Sequence, residues 1–310
     1  MTATARGLDE ITPTASVVTV GNFDGVHRGH QTLLRRAVDA AEARGVRSAA
    51  VTFEPHPAAV LRPGSEPRRL QPLEARIDAL AARGVDLVAV LPFTEEVAGW
   101  SPERFVDEVL VQRLAAVHVV VGTNFRYGHR AAGDVVTLSA RGEEEGFTVE
   151  AVTLLDVDGD PISSTALRHR IGAGDVQWTA RALGREFSLT APVVSGEGRG
   201  RSIGVPTANL AVDDGLVTPG HGVYACWAEV AGERYAAVTN VGVRPTFDGR
   251  DVTVEAHLLD ASPQLYGAEV TLRFVERLRG ERRFDGPEEL VAQIHHDIEE
   301  ARRVLSHRAR

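Results

Sequence analysis

The 310-residue sequence predicts an α/β protein of two domains. Residues 1–187 read as an open Rossmann-like parallel sheet with helices on both faces, and residues 188–310 as an antiparallel barrel or sandwich with a terminal helix. Three observations carry this reading. The length is about twice the ~150 residues of an ordinary domain, and 43% apolar residues are enough for two cores. Short apolar runs alternate with helical periodicities in the first part, which is the grammar of βα units. Beyond Arg185–Thr190, β-branched runs separated by Gly, Pro and Asp take over.

Val17–Val20 is an apolar run stopped by Gly21. After a loop comes a helix with Leu33, Leu34, Ala37, Val38 and Ala41 on one face and Gly45 past its end. Arg47–Phe53 follows as a strand, Leu73–Arg83 as a helix closed by Gly84, and Asp86–Phe93 as a third strand. Ser101-Pro102 supplies an N-cap and a first-turn proline for a helix carrying Phe105, Val106, Val109 and Leu110. Val117–Val121 and Phe147–Leu155 complete five strands, and ligands of such a sheet sit beyond the carboxyl ends of its strands. In the second domain the strands are Leu189–Val194, Gly222–Val230, Arg234–Asn240, Val252–Leu259 and Glu269–Phe274. An amphipathic helix after Asp285-Gly286-Pro287 turns Leu290, Val291, Ile294, Ile298, Ala301 and Leu305 to one side.

Acidic side chains outnumber basic ones 43 to 34, a net charge of −9 shared by both halves. Neither half is a basic arm, so no nucleic-acid partner is expected. All 34 basic residues are arginine. The missing lysine excludes a P-loop, a Schiff base and a pyridoxal-phosphate site, so phosphate must be held by arginine, histidine, hydroxyls or backbone N–H groups. A single cysteine, Cys226, fits a reducing compartment. No apolar run reaches the ~18–20 residues of a membrane span, and residues 1–15 lack a signal-peptide layout. No membrane contact and a cytoplasmic location are therefore expected, while a homo-oligomer is left open.

After the first strand the chain reads Gly21-Asn22-Phe23-Asp24-Gly25-Val26-His27-Arg28-Gly29-His30, and then the helix begins. Two histidines three apart at a helix N-terminus stand beside free N–H groups and the positive end of the dipole, which suits polyphosphate. A glycine-rich turn with two surface histidines has the same letters, and a zinc site lacks a third ligand and a supporting carboxylate. Ile162-Ser163-Ser164-Thr165-Ala166-Leu167-Arg168 opens another helix. Hydroxyls there are commonly caps, but three together with Arg168 one turn on suggest a second phosphate clamp. A nucleotidyl transfer needs two clamps, one on the leaving phosphates and one on the α-phosphate, and no general base when the nucleophile is itself a phosphate.

Gly196-Glu197-Gly198-Arg199-Gly200-Arg201-Ser202-Ile203-Gly204 is followed by Val205-Pro206-Thr207-Ala208-Asn209. Such a glycine density reads as a loop whose backbone approaches a ligand, or as a flexible hairpin connection. Thr207 and Asn209, two apart, share one side of an extended strand, where neutral oxygens could hold a magnesium ion that bridges ATP phosphates.

The Gly21–His30 string resembles the G-x-F-D-x-x-H-x-G-H signature of the nucleotidyltransferase superfamily. Together with Phe53-Glu54-Pro55-His56-Pro57, Val121-Gly122-Thr123-Asn124-Phe125-Arg126-Tyr127-Gly128 and the Ser-Ser-Thr run, it resembles the FMN adenylyltransferase half of bacterial bifunctional riboflavin kinase/FAD synthetases. The second half resembles riboflavin kinases through Pro206-Thr207-Ala208-Asn209, Pro219-Gly220-His221-Gly222-Val223-Tyr224, Asn240-Val241-Gly242-Val243-Arg244-Pro245-Thr246-Phe247, Val254-Glu255-Ala256-His257-Leu258-Leu259-Asp260 and Leu265-Tyr266-Gly267. The resemblance runs from Val17 to Arg303.

It implies a nucleotidyltransferase sheet and a riboflavin-kinase barrel that phosphorylate riboflavin to FMN and adenylylate FMN to FAD, using ATP with Mg²⁺. It further implies that His27 and His30 stabilise ATP phosphates, with Gly21, Asn22, Phe23, Asp24, Ser163, Ser164, Thr165 and Arg168 beside them. Phe53, Pro55, Asn124, Phe125, Arg126 and Tyr127 would line the flavin side, although Phe53 and Phe125 alone read as core. In the kinase half, Gly198, Arg199, Gly200, Arg201 and Gly204 would meet phosphate, and Thr207 and Asn209 would hold Mg²⁺. Glu255, by position a solvated strand residue, would accept the proton of the riboflavin 5′-hydroxyl. One departure from the pattern is Pro161, where a basic residue often stands, which shifts the pyrophosphate grip towards Arg168.

Two other readings stand beside this one. A nucleotidyltransferase for another acceptor, such as nicotinamide mononucleotide or phosphopantetheine, explains the histidines but leaves the second domain idle. A flavin-responsive regulator without turnover is opposed by the intact His27, His30, Thr207, Asn209 and Glu255.

Overall fold

A computed structural model describes residues 2–153, 155–196, 204–246, 249–261 and 263–308. The chain forms two compact units, Met1–Ser164 and Thr165–Arg310.

The first unit is built on six parallel strands: β1 (Ala3–Ala5), β2 (Ser16–Val20), β3 (Arg47–Glu54), β4 (Leu87–Pro92), β5 (Ala116–Gly122) and β6 (Thr148–Val152). Their order in the sheet is β1-β4-β3-β2-β5-β6. β2 is buried at all five positions, as a strand covered on both faces must be, so it reads as a continuous apolar run and not as an alternation. Val18, Val20, Val51, Val119 and Val121 share one core with Phe105, Leu110 and Leu138, and Ala50, Val88 and Val90 share another with Leu34 and Leu80. The order of connections reverses at β2, with β3 on one side and β5 on the other. The crevice beyond the carboxyl ends of β2 and β5 is therefore the expected ligand position.

Helix α1 (Arg28–Arg44) runs from His27 as its N-cap to Gly45, whose left-handed backbone (φ 63°) ends it as the sequence predicts. The short α2 (Pro57–Leu61) and the longer α3 (Leu73–Ala81) flank β3 and β4 in sequence. After α4 (Glu95–Ala98), the helix capped by Ser101 begins as α5 (Pro102–Phe105) and widens into π-helical turns over Val106–Arg113. α6 (Val135–Glu145) starts with a reciprocal capping box between Asp134 and Thr137. A small hairpin, β7 (Asp156–Val157) with β8 (Asp160–Pro161), precedes α7 (Ser164–Gly172).

In the second unit α8 (Val176–Leu183) leads into β9 (Phe187–Val194), β10 (Ala208–Leu210), β11 (Gly222–Val230), β12 (Glu233–Thr246), β13 (Gly249–Leu258) and β14 (Glu269–Arg279). These close into an antiparallel barrel in the order β10-β13-β12-β11-β14-β9, which decides between barrel and sandwich. The last helix, α9 (Pro287–Ser306), lays Ile298, Ala301, Val304 and Leu305 on the outer face of the barrel against Ala225, Trp227, Val238 and Val275.

Candidate active sites

In the first unit, the loop from Gly21 to His27 delivers two imidazoles to the start of α1. His27 is 5% exposed and its Nδ1 accepts the His30 backbone N–H at 3.3 Å, satisfying one of the free donors at the helix start. An accepting Nδ1 in a neutral ring leaves the hydrogen on Nε2, so His27 presents a donor. The two rings stack at 3.6 Å between centroids, and Phe23, wholly buried, meets His30 edge-on at 5.2 Å. Burial pulls the His27 pKa down to about 4. Burial and then the neighbouring His27 hold His30 well below the ordinary imidazole range. The pair is thus neutral at physiological pH. A Cβ on Gly29 would sit 3.1 Å from His27 Nδ1, so any side chain there would press on the stack.

The loop is pinned from beneath. The Asp24 carboxylate accepts the Leu70 N–H at 3.0 Å, and the Thr52 hydroxyl donates to the Asn22 carbonyl at 3.0 Å. Ser164 Oγ donates to the Asp24 carbonyl at 2.9 Å, tying the last residue of the first unit to the histidine loop. Ser163 is half-buried, Thr165 is exposed in the first turn of α7, and Arg168 is half-buried one turn further. Arg76, on α3, is the residue that sequence reasoning missed. It is 5% exposed, donates to the carbonyls of Asn22 and Phe53 at 3.1 Å each, and pairs with Glu54. An arginine inside an apolar helix face was the available signal, but its partners lie 54 and 23 residues away in sequence.

A cavity of about 640 Å³ opens next to this loop, within the usual size of a small-molecule site. Asn22, Phe53, Phe125, Arg126 and Tyr127 line it, as do Phe93, Trp100 and Phe105, which the sequence did not single out. Phe125 and Tyr127 stack at 5.5 Å, while Phe53 meets Phe93 edge-on at 5.7 Å. Pro55 and Asn124 are exposed and outside this lining.

In the second unit, β10 and β12 flank β13 so that both Asn209 and Asn240 stand directly opposite Glu255. Val254 and Ala256 are buried on either side of Glu255, and Val238, two residues before Asn240, packs towards α9. By alternation, Glu255 and the two asparagines share the outer face of the barrel. A cavity of about 790 Å³ lies over that face, lined by Thr207, Asn240, Glu255, His257, Arg279, Phe284 and residues of α9. Thr207 also lines a smaller cavity of about 210 Å³ with Pro206, Ala256 and Tyr266. Asp297, 4% exposed on α9, takes both Nε and Nη2 of Arg279, at 3.0 and 2.8 Å, which fixes Arg279 in the wall of this cavity. Gly196 lies against the Asn209 amide: a Cβ there would meet Nδ2 at 2.2 Å. Gly204 is exposed with φ +81°, and Gly198, Arg199, Gly200 and Arg201 lie outside the described residues.

A family model described as FAD synthetase matches residues 9–166, and one described as riboflavin kinase matches residues 183–305. The bifunctional riboflavin kinase/FMN adenylyltransferase of Pseudomonas fluorescens is 38% identical over 304 residues, 97% of each chain. That of Bacillus subtilis is 37% identical over 297 residues, covering 94% of this chain and 93% of its own. A crystal structure described as a macrolide-efflux protein from Streptococcus pneumoniae superposes with a TM-score of 0.89 at 30% identity, covering 97% of this chain and 98% of that one. No helix among the described residues is long and apolar enough to cross a membrane. With both family models on one chain in this order, and relatives matched along almost their whole length, the chain belongs to the bifunctional riboflavin kinase/FMN adenylyltransferases.

Proposed function

We propose that this bifunctional transferase adenylylates FMN in residues 1–187, through the His27–His30 pair, and phosphorylates riboflavin in residues 188–310, with Glu255 as base. In the first reaction an oxygen of the FMN phosphate attacks the α-phosphorus of ATP, the α–β bond breaks, and pyrophosphate leaves. The nucleophile is already an anion and needs no base. What the site must supply is donors for charge building on the leaving phosphates, and the neutral Nε2–H of His27 beside the N-terminus of α1 would supply one, with His30 stacked on it. The Ser163-Ser164-Thr165 start of α7 and Arg168 would grip the remaining phosphate oxygens. The aromatic cavity holding Phe53, Phe125 and Tyr127 would take the isoalloxazine ring, with Arg126 at its edge.

In the second reaction the nucleophile is an alcohol. Glu255 would accept the 5′-hydroxyl proton as the oxygen attacks the γ-phosphorus and ADP departs. The two cavities that meet at Thr207 suit two substrates that must touch only at the transferred phosphoryl group. Thr207 and Asn209 offer uncharged hard oxygens on the face of Glu255, a donor set that fits Mg²⁺ carried in by ATP, and they would hold it. When bound, the ion would neutralise phosphate charge.

The observation that carries this reading is the pairing of Asn209 and Asn240 across from Glu255 over the larger cavity. The test is to assay both activities in full-length variants. Glu255→Gln is expected to lower FMN formation by roughly 10²–10⁴-fold and leave FAD formation from supplied FMN intact. His27→Ala is expected to lower FAD formation by about 10²-fold or more and leave FMN formation intact. Loss of both activities in either folded variant would overturn the division of labour.

A further inference from the structure

His257 has no part in the chemistry above, yet it lines the larger cavity two residues beyond Glu255, on the same face of β13. Its Nδ1 lies 2.7 Å from the carbonyl oxygen of Pro206. A carbonyl can only accept, so this ring nitrogen carries the hydrogen, whether the imidazole is neutral or charged. The contact falls where backbone pairing gives out. β10 pairs with β13 through Ala208–Ala256, Asn209–Glu255 and Leu210–Val254, and the register stops there. Thr207 is the next residue outward, level with His257, and Pro206 before it has no N–H to give. The Pro206 carbonyl is therefore the backbone group through which the approach to β10 can still be held.

We propose that His257 is a positioning residue of the kinase site: by donating to Pro206 it replaces the absent ladder bond and fixes the Thr207 hydroxyl beside Asn209 and Glu255. The side chains at 207 and 209 on one strand and 257 and 255 on the other then make a two-by-two patch on the outer face of the barrel. The proposal rests on the assignment of Thr207 to Mg²⁺. It concerns the stretch that carries that residue, which has only three paired residues downstream to hold it in register. A fluctuation of Thr207 away from the patch would separate the ion from the base while leaving both substrate cavities open.

The test uses full-length protein with ADP and Mn²⁺, the ion being counted by electron paramagnetic resonance, and takes as its signal the part of Mn²⁺ binding lost in Thr207→Ala. His257→Ala is expected to weaken that component about fivefold, the equivalent of one net hydrogen bond. His257→Asn, whose Nδ2 stands where Nδ1 stood, is expected to restore it. Near-UV circular dichroism of both full-length variants checks that the barrel is folded. Wild-type Mn²⁺ binding in His257→Ala overturns the positioning role and leaves the metal assignment standing. An equal loss in His257→Asn overturns the donor argument. Full binding in Thr207→Ala removes the metal assignment and this inference with it.

Discussion

His27 enters the folded protein as a neutral ring, and the consequence is a pH dependence whose sign is fixed. Its pKa falls from the ordinary 6.5 to about 4 because burial penalises the charged form. Between those values the unfolded chain binds the extra proton, so stability is complete above pH 6.5 and is lost as pH falls towards 4. His30 moves in the same direction. Urea titrations at pH 7 and pH 5 should differ by on the order of 2 kcal/mol for His27. His27→Asn, which keeps an N-cap and does not titrate, should narrow that gap. Arg76 acts on the same loop by a different route. Arg76→Ala would take a donor from two carbonyls, of which that of Asn22 keeps the Thr52 hydroxyl, and would leave the half-buried Glu54 carboxylate without its guanidinium; it should cost about 3 kcal/mol in denaturant unfolding. Arg76→Lys should recover only part, since one ammonium cannot reproduce the planar fork. The histidines were legible because their spacing and the helix start are local. Arg76 was not, because its role exists only after three distant segments meet.

At the level of elements, legibility follows pattern length. β2 to β5 and α1 carry apolar runs or periodicities long enough to read, bounded by Gly21, Gly45 and Gly84. β1, three residues of Ala-Thr-Ala, has no pattern to read. The π-helical turns at Val106–Arg113 escaped because Phe105, Val106, Val109 and Leu110 fall on one side of an α- and a π-helix alike. β10 was legible only as the extended stretch that puts Thr207 and Asn209 on one side; its pairing, which carries Asn209 to its place opposite Glu255, was not. That position depends on a glycine outside the strand. Gly196→Ala pushes a methyl into the Asn209 amide, and the amide must move. FMN formation should fall at least tenfold while FAD formation from supplied FMN persists, an outcome read by separating flavins chromatographically.

For the whole molecule, two activities that share ATP and a flavin are carried by a parallel sheet and a closed barrel with separate cores. The change of pattern near residue 187 announces two kinds of sheet, but the compact units part at Ser164–Thr165, because α7 and α8 are helices and carry no strand pattern to mark the change. The barrel needed its strand register to be distinguished from a sandwich. The two units also differ in how their sheets end. A barrel has no rim strand, whereas the six-stranded sheet ends on β1, which pairs only with β4 through three residues while burying Ala5. Proteolytic trimming or a fusion that peels away this outermost ribbon would bare the apolar stretch Leu87–Pro92, a ready template on which a neighbouring molecule could lay a strand of its own. The first handful of residues thus guards the enzyme against clumping.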